Sequence, residues 1–288
     1  MIKVLILGGN GMLGHACSQI LCASPNLEVT KTSRLNLEGY VQFNAMTDSV
    51  SNLIQMTNPD WIVNCIGVIK PHINERDPNS VSNAIRINSL FPQVLASETQ
   101  ANIIQIATDC VYSGTKGDYL ESDVHDALDV YGKSKSLGEA VFQNLIHLRA
   151  SIIGPEIGRS TSLLEWFKNQ PLNAEINGFS DHLWNGITTH HFGMIARGII
   201  TNNFNQISKA HIVPSGAIQK FQLLNFFAEA YSRNDIEINK MVSSNAINRT
   251  LATEYPEINQ LIWSMSGYSE IPTVEQMVHE QANLSELI

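Results

Sequence analysis

A tyrosine and a lysine stand four residues apart in the stretch 129–142, at Tyr131 and Lys135, and together they could transfer a proton. If the stretch is helical, this spacing places both side chains on one face. A phenol is a weak acid at neutral pH because its pKa lies near ~10, and a neighbouring ammonium would lower that pKa. The pair predicts a proton-transfer site. Unrelated helices also carry this spacing as two solvated residues, so the prediction depends on the surrounding sequence.

A glycine-rich turn follows the first apolar run and precedes an apparent helix. Glycines at positions 8, 11 and 14 permit a tight turn, close approach of the backbone to a pyrophosphate, and close packing of helix on strand. The phosphates would lie at the positive end of the helix. A plain loop is the alternative. We predict a dinucleotide site formed by Gly8, Asn10, Gly11, Met12, Leu13 and Gly14.

The end of the second apolar run indicates which dinucleotide binds. NAD sites usually carry an acid there for the ribose hydroxyls, whereas NADP sites replace it with groups that suit a 2′-phosphate. This run ends in Ser33 and Arg34, a hydroxyl and a guanidinium. The sequence therefore favours NADP(H) over NAD(H), with Arg34 as a plain surface charge being the alternative. From its position after 'VQF', Asn44 is expected to reach the adenine.

Two further strand ends carry small or polar groups. Cys65, Ile66 and Gly67 end the third run, where small residues would let the backbone approach the cofactor. Thr108 ends the fourth run, and Tyr131 follows it by 23 residues. A hydroxyl, a phenol and an ammonium around one carbonyl would form a reduction site.

The order of elements predicts how these groups meet. Short apolar runs alternate with segments of helical periodicity up to about residue 153, which is typical of buried parallel strands joined by right-handed crossovers. We predict an α/β fold, a doubly wound parallel sheet of Rossmann type over residues 1–153. The alternation loosens after Pro155. Residues 154–288 are therefore expected to form a smaller substrate-binding lobe, with some segments returning to the sheet.

Composition limits the partners. The chain has 288 residues, 43% of them hydrophobic, and a formal charge of -9. An acidic chain without a run of Lys or Arg argues against nucleic acid or an anionic membrane as the main partner. No apolar run approaches the roughly 18 residues of a membrane span, and no signal-peptide cleavage site is evident. The four cysteines fit no zinc spacing, so reduced thiols in a cytoplasmic protein are expected.

Taken together, these motifs resemble the short-chain dehydrogenase/reductase superfamily in its extended form, and more narrowly the dTDP-4-dehydrorhamnose reductase family. The resembling segments are 'GGNGMLG', 'ATDCVYSGTKGDYLESD', 'YGKSKSLGE' and 'LRASIIG', spread over residues 8–154, with a weaker match in 'WNGITT' at 184–189. The resemblance implies NADPH-dependent reduction of a 4-keto group on a nucleotide-linked deoxysugar, within surface polysaccharide precursor synthesis.

The resemblance also implies roles for three residues. Tyr131 would give a proton to the keto oxygen as hydride arrives from the nicotinamide. Lys135 would hold the nicotinamide ribose and lower the pKa of Tyr131, while Thr108 would bond the carbonyl oxygen. Donors placed at an oxygen that gains charge stabilise the transition state more than the ground state. Ala107 and Cys110 replace the usual serine and aromatic residue, which leaves the substrate open.

Several polar residues have structural alternatives to a role in binding. Trp184 and Asn185 could line the substrate site or pack in the core. Arg149 and Arg159 could meet a diphosphate, although a salt bridge is the expected role of each.

Other candidates are expected to be structural. Asn88 lies on an apolar helical stripe and should tie that helix to a strand end. Asp109 and Glu121 should organise a loop rather than form a carboxylate pair. His190 and His191 are adjacent, so they would point to different faces of a helix, and no metal site is predicted.

Two other functions stay open. A nucleotide-sugar epimerase or dehydratase would retain NAD and use the same tyrosine and lysine, although Ser33 and Arg34 in place of an acid weigh against it. A catalytically silent regulatory subunit would use the fold to bind a partner, and the intact Thr108, Tyr131 and Lys135 argue against that. The amphipathic segments 'FQLLNFFAEAY' and 'TVEQMVHEQANL' fit either core-facing helices or a homodimer contact.

Overall fold

The computed structural model of the protein describes residues 1–158 and 161–285. The strands in these ranges are β1 (Ile2–Leu7), β2 (Leu27–Ser33), β3 (Val41–Gln42), β4 (Trp61–Asn64), β5 (Asn102–Ala107), β6 (Leu145–Arg149), β7 (Ile152–Ile153), β8 (Glu175–Phe179), β9 (His182–Trp184), β10 (Ile187–Thr188), β11 (Lys209–His211), β12 (Ile218–Gln219), β13 (Glu237–Met241) and β14 (Ile247–Asn248). The α-helices are α1 (Met12–Cys22), α2 (Val50–Thr57), α3 (Pro78–Ile85), α4 (Phe91–Ser97), α5 (Val130–Leu137), α6 (Leu163–Lys168), α7 (Thr189–Thr201), α8 (Lys220–Ala230), α9 (Pro256–Met265) and α10 (Val274–Ser285).

Seven strands form one parallel sheet in the order β11-β6-β5-β4-β1-β2-β3. The five apolar runs of the sequence are β1, β2, β4, β5 and β6, and the predicted doubly wound α/β sheet is confirmed. The short strand β3 was not predicted. Strand β11 pairs with β6 although it follows residue 153, so the sheet draws on both parts of the chain. The boundary at residue 153 stays a prediction.

Alternate strand residues supply an apolar core on each face of the sheet. In β1, Val4 and Ile6 belong to the core that includes α1 and α7. Leu5 and Leu7 belong to the core that includes α2 and α4. Successive strand residues point to opposite faces, and here both faces are covered by helices. The central strands are therefore buried on both sides.

All seven carboxyl ends of the strands lie at one edge, because the strands are parallel. The order of the chain reverses between β1 and β4, the position at which such sheets bind ligands. The turn after β1 meets the segment after β4 there, since a Cβ built at Gly8 would lie 3.1 Å from Ile66 Cγ1. The fold thus gathers the predicted strand-end residues at one edge.

The helical segment that begins at Pro78 is interrupted by a π-helical turn over Arg86–Leu90, which separates α3 from α4. Pro92 has no N–H to donate to the carbonyl of Asn88, four residues earlier, so the regular ladder cannot pass through this turn. The Asn88 carbonyl instead faces Gly138, where a Cβ would lie 2.0 Å from its oxygen. The end of α5 can approach this closely only because residue 138 is glycine.

The chain after β6 forms smaller sheets beside the main one. Strand β7 pairs with β10, β8 with β13, and β9 with both β12 and β14. From this part, the Asn248 N–H donates to the Gly114 carbonyl at 2.8 Å, and Leu251 forms an isolated bridge with Tyr119. The later part of the chain therefore holds the loop that connects β5 to α5.

Two predictions from composition can be compared with the structure. All four cysteines are free thiols, as predicted. A search of the described residues finds no helix with the length and apolar character that spanning a bilayer requires.

A prediction follows from the contact between α1 and the glycine-rich turn. A Cβ at Gly14 would lie 2.1 Å from the Gly8 carbonyl oxygen, so Gly14→Ala must push the helix away. We expect a loss of about 1–3 kcal/mol in the free energy of unfolding, measured by urea denaturation. Gly11→Ala is the matched control, because its Cβ would lie 3.3 Å from the same oxygen. Equal stabilities of Gly14→Ala and wild type would contradict the packing described here.

Candidate active site

Thr108 and Tyr131 meet at the carboxyl edge of the sheet. Burial raises the pKa of the Tyr131 phenol, the neighbouring Cys110 adds to the rise, and a hydrogen bond with Thr108 opposes it. Thr108 Oγ1 also donates to the Asp109 carboxylate at 3.2 Å and accepts from the Cys110 N–H at 3.2 Å. The phenol is therefore protonated at neutral pH, which is the form that can donate a proton.

Lys135 reaches the end of β5 from the same helix as Tyr131. Its Nζ donates to the Ile106 carbonyl at 2.8 Å, and the residue is 8% exposed. Burial lowers the pKa of Lys135 to about 8, and Glu139 acts in the opposite direction. Lys135 was expected to lower the pKa of Tyr131. The net shift of that pKa is upward, because the loss of water around the phenol dominates.

Helix α5, which carries both residues, is fixed at its first turn. Asp129 caps the helix by accepting from the Gly132 N–H at 2.8 Å. The same carboxylate pairs with Lys70 at 2.8 Å, and Glu75 accepts from the Val130 N–H at 2.9 Å. The segment after β4 thus holds the start of α5, one residue from the phenol.

Asn88 ties its helical turn to a strand end, which confirms the expected role. Its Oδ1 accepts from the Val68 N–H at 2.8 Å, and its Nδ2 donates to the Val68 carbonyl at 2.9 Å. Nδ2 also donates to Ser134 Oγ at 3.1 Å. Ser134 precedes Lys135, so Asn88 additionally fixes the helix that carries the lysine.

The glycine-rich turn fits the pyrophosphate of a dinucleotide. Helix α1 begins at Met12, and its N-cap Gly11 offers no side chain to the first N–H groups. Those groups, which include the N–H of Leu13, can therefore receive an anion. Gly8 adopts a φ of 74°, which favours glycine, and Asn10 lies half-exposed in the turn.

Thr32 holds this turn, and the sequence analysis missed it. Its Oγ1 accepts from the Gly8 N–H at 3.1 Å and donates to the Ile6 carbonyl at 3.3 Å. Its carbonyl accepts from the Gly9 N–H at 2.8 Å. The position of Thr32, a hydroxyl residue next to Ser33 at the end of β2, is the sequence feature that could have indicated this role.

Ser33 ends β2, Arg34 follows it, and Asn44 lies just after β3, but the three differ in exposure. Ser33 is 1% exposed, and its hydroxyl accepts from the Leu35 N–H at 3.0 Å. Asn44 Oδ1 accepts from the Met46 N–H at 3.0 Å. Arg34 is exposed. Two of the three side chains therefore organise local turns, and the Arg34 guanidinium is the group best placed for a 2′-phosphate.

The residues after β4 lie beside the glycine-rich turn. The Cys65 N–H donates to the Leu7 carbonyl at 3.1 Å, and the Ile66 N–H donates to Asn64 Oδ1 at 3.1 Å. A Cβ at Gly67 would lie 3.5 Å from Asn88 Oδ1. These contacts place the backbone of residues 65–67 at the carboxyl edge of the sheet, beside the glycine-rich turn.

Of its two alternatives, Asn185 takes the packing one in this structure. The residue is 7% exposed, its Nδ2 donates to the Leu251 carbonyl at 2.7 Å, and its Oδ1 accepts from the Leu251 N–H at 2.9 Å. A buried amide must find partners, and these come from the backbone. Trp184 donates its indole N–H to Ser151 Oγ at 2.8 Å and packs on the core. The packing alternative describes both residues.

Arg149 forms a salt bridge, as expected, and does not face a diphosphate. It is 0% exposed and pairs with Glu139. Its Nη1 also donates to Tyr112 Oη at 2.7 Å. Arg159 lies outside the described residues.

Glu121 organises its loop, as expected. Its carboxylate accepts from the N–H groups of His211 and Glu254, both at 2.9 Å, and from the Thr253 hydroxyl at 2.7 Å. Asp109 is also buried, and burial raises its pKa while Arg249 opposes the rise. The two acids hold different parts of the structure and do not act as a pair.

Arg249 reaches the same region from β14, and the sequence analysis missed it. Its Nε donates to the Tyr112 carbonyl at 2.9 Å, and its Nη2 donates to the Ser113 carbonyl at 3.2 Å. No local motif marks this residue, because its partners lie about 137 positions earlier in the chain.

His191 is bound inside the protein. Its Nδ1 bonds Thr188 Oγ1 at 2.7 Å, and its Nε2 bonds Glu280 at 3.0 Å and Tyr268 Oη at 2.8 Å. The ring of His190 packs edge-on against it. Both residues lie in the first turn of α7.

A family model described as RmlD substrate binding domain matches residues 2–153. Methionine adenosyltransferase 2 subunit beta of Rattus norvegicus is 33% identical over 147 residues, which are 49% of this chain and 43% of that protein. dTDP-4-dehydrorhamnose reductase of Aggregatibacter actinomycetemcomitans is 30% identical over 184 residues, 60% of this chain and 59% of that protein. The chain thus spans less than two thirds of the length of either relative.

The fold is shared with dTDP-4-dehydrorhamnose reductase from Bacillus anthracis, solved in complex with NADP. The two structures align with a TM-score of 0.78 over 99% of this chain and 100% of that one, at 18% sequence identity. At this identity the similarity shows the fold alone.

A pH dependence follows from the buried contacts of His211. Its Nε2 bonds the Arg149 guanidinium and its Nδ1 bonds the Ala252 carbonyl at 2.6 Å. Burial, followed by the charge of Arg149, lowers the pKa of His211 from 6.5 to about 4. The folded protein therefore keeps this imidazole neutral in a range where the unfolded chain binds a proton.

We predict that the free energy of unfolding falls as the pH drops from about 6.5 to 4. The contribution of His211 should be roughly 2–3 kcal/mol, because the unfolded state binds the additional proton. Urea denaturation across this range should show a shallower slope for His211→Gln than for wild type. His72→Gln, which changes an exposed histidine, is the control. Identical slopes for both variants would rule out His211 as a source of acid sensitivity.

Proposed function

Because the chain belongs to the RmlD substrate binding domain family, we propose that it is an NADPH-dependent reductase of a keto group on a nucleotide-linked sugar. The observation that carries the proposal is the meeting of the Thr108 hydroxyl with a protonated Tyr131 phenol, one helical turn from the buried Lys135 ammonium. These groups lie at the same edge as the glycine-rich turn. A 4-keto-6-deoxysugar is the proposed substrate, and surface polysaccharide precursor synthesis is the proposed use of the product.

The residues that would hold NADPH are those at the ends of β1, β2 and β4. The open N-terminus of α1 suits the pyrophosphate, and the exposed Arg34 guanidinium suits a 2′-phosphate. Lys135 would bind the nicotinamide ribose. When bound, NADPH supplies a hydride for the keto carbon.

Tyr131 would supply the matching proton. Hydride addition to the keto carbon turns the carbonyl π pair into a lone pair on oxygen, and the Tyr131 O–H delivers its proton to that oxygen. Thr108 would orient the carbonyl by a hydrogen bond, and its link to Asp109 fixes the direction of its own hydroxyl. The Tyr131 phenolate then regains a proton from solvent. The upward shift of its pKa keeps the phenol protonated before reaction but makes it a weaker acid, so delivery relies on the more basic alkoxide oxygen that hydride addition creates.

Two similar proteins support this proposal, one through its name and one through the cofactor bound in its structure. The relative from Aggregatibacter actinomycetemcomitans is named as a dTDP-4-dehydrorhamnose reductase, and the Bacillus anthracis reductase was solved with NADP. The open glycine-rich turn and the exposed Arg34 guanidinium favour the same cofactor.

A second candidate function is a cofactor-binding subunit without catalysis. It is favoured by the similarity to methionine adenosyltransferase 2 subunit beta, which by its name is one subunit of another enzyme. Such a protein would bind NADPH and leave it unoxidised in the presence of any ketosugar. The two functions differ in turnover and not in cofactor binding.

The proposed function is tested by replacing the proton donor. Wild type should oxidise NADPH on addition of a dTDP-4-keto-6-deoxysugar, followed by absorbance of the reduced nicotinamide. Tyr131→Phe should lose about a hundredfold or more in kcat, because only the transition state gains from the proton. Its Kd for NADPH, measured by fluorescence, should stay within about twofold of wild type. Binding without oxidation by wild type across several nucleotide ketosugars would favour the subunit instead.

Arg34 provides a separate test of the cofactor. Arg34→Ala should weaken NADPH binding by about tenfold, since a charge-assisted contact to the 2′-phosphate is lost, and should leave NADH binding unchanged. Lys240→Ala, which removes the same charge from exposed strand β13, is the control. Equal losses for NADPH and NADH would show that Arg34 does not read the 2′-phosphate.

A further inference from the structure

The Thr108 hydroxyl has one proton, and two acceptors compete for it. In the structure this hydroxyl donates to Asp109 Oδ1 at 3.2 Å and accepts from the Cys110 N–H at 3.2 Å. The proposed reaction needs the same proton on the keto oxygen of the sugar. A hydroxyl is a single donor, so it cannot serve an ionised Asp109 and the keto oxygen at the same time. The contact between Thr108 and Asp109 must therefore change its direction when the substrate binds.

Asp109 lies where an ionised carboxylate is unfavourable. The residue is 7% exposed and stands at the turn after β5. It takes part in none of the salt bridges within residues 1–158 and 161–285. An unpaired buried charge costs more free energy than a neutral acid, which can still donate and accept hydrogen bonds. The surroundings of Asp109 therefore favour its neutral form.

The titratable groups that face Asp109 in the described part of the chain support this charge state. They are Cys110 beside it, Tyr131 from α5 and Arg249 from the end of β14. Burial raises the pKa of both the thiol and the phenol, so neither carries a charge at neutral pH. The Arg249 guanidinium opposes the effect of burial on Asp109, but its Nε and Nη2 donate to backbone carbonyls of the following loop. The net direction of the Asp109 pKa is upward.

We propose that Asp109 is a positioning residue that works as a neutral acid: its carboxyl O–H donates to Thr108 Oγ1 and directs the Thr108 proton to the keto oxygen. The inference rests on the proposed function, because that function places a keto oxygen beside Thr108. The 3.2 Å contact is kept, and its donor and acceptor exchange roles. Asp109 takes its proton from solvent and keeps it, since Tyr131 supplies the proton that the reduction consumes. A buried carboxyl that stays neutral can donate in this way at neutral pH.

This role gives the reaction a defined pH dependence. The working form of Asp109 is protonated, so activity should fall as the pH rises through its midpoint. Above that pH the carboxylate takes the Thr108 proton, and the keto oxygen loses one of its two donors. Losing one such donor typically slows a reaction by about a hundredfold. Tyr131 does not cause this fall, because burial raises its pKa and keeps the phenol protonated.

The test compares the pH dependence of kcat in wild type and Asp109→Asn, with saturating NADPH and dTDP-4-keto-6-deoxysugar. Wild type should lose about tenfold per pH unit on the basic side, down to a lower plateau. The amide of Asp109→Asn can donate to Thr108 at every pH, so its profile should lack this fall, whatever its plateau value. Lys135 titrates in both proteins, so the difference between the profiles belongs to residue 109. The same fall in Asp109→Asn would contradict the proposal.

Glu121→Gln is the matched control. It changes another buried carboxyl, which accepts from the N–H groups of His211 and Glu254 instead of from Thr108. This variant should keep the fall of the wild type. Loss of the fall in Glu121→Gln would show that general loosening removes it and would overturn the role of Asp109.

Thr108→Val tests whether Asp109 acts through the hydroxyl. The residual activity of Thr108→Val should have the same pH profile with and without Asp109→Asn, because no hydroxyl is left to direct. A remaining difference between these two proteins would mean that Asp109 acts on the substrate by another route, and the proposal would be wrong.

The charge of Asp109 can be followed without substrate or variant. Side-chain ¹³C NMR of labelled wild type reports each carboxyl through its own backbone signals. Asp109 should titrate at a higher pH than Asp123, whose pKa is lowered by the hydrogen bond from Lys116. A midpoint of Asp109 at or below that of Asp123 would overturn the inference, even in a protein that reduces ketosugars. A higher midpoint in a protein that never oxidises NADPH would support the neutral acid and contradict the proposed function.

Discussion

The structure depends on the burial of one cation, the Arg149 guanidinium. It is fully enclosed, so every bond that water would make must be replaced by a bond from the protein. The replacements come from four residues in three segments: Glu139 after α5, Tyr112 and His125 in the loop after β5, and His211 in β11. If any of these segments moves away, a buried charge loses a partner. Arg149 therefore holds three elements together: α5, which carries the candidate proton donor Tyr131, the loop before α5, and the edge strand β11.

A second constraint acts on the opposite side of α5. Asn88 bonds both the segment after β4 and Ser134, and its carbonyl approaches Gly138. Pro92 has no N–H to bond the Asn88 carbonyl, so the helix is interrupted there. The interruption leaves this carbonyl able to approach Gly138. The helix that carries Tyr131 and Lys135 is thus held by Asn88 at Ser134 and by Arg149 through Glu139, just past its end. Such two-sided support is what positions groups to within the tolerance that proton transfer needs.

Much of the fold follows from local sequence patterns, and the failures have physical causes. The apolar runs identify the parallel strands, and strand ends identify Thr108 and the glycine-rich turn, because a parallel sheet collects its carboxyl ends at one edge. Asn185 could not be assigned to cleft or core from sequence because an amide in a polar segment has the same local signature in both. Arg249 was missed because its partners are far away in sequence. The direction of the Tyr131 pKa was misjudged because spacing shows which charges are near but not how much water is lost.

The pairing of β11 with β6 also orders events during synthesis. Strand β6 ends at residue 149 and β11 begins at residue 209, so 59 residues lie between them. At the usual rate of roughly 5–20 residues per second, β6 emerges several seconds before its outer neighbour. During that interval β6 is the open edge of the nascent sheet and offers unpaired backbone groups to other chains. Arg149 also lacks its bond to His211 during this time. The first half of the chain is therefore an incomplete sheet on the ribosome, and its edge needs protection until the second half arrives.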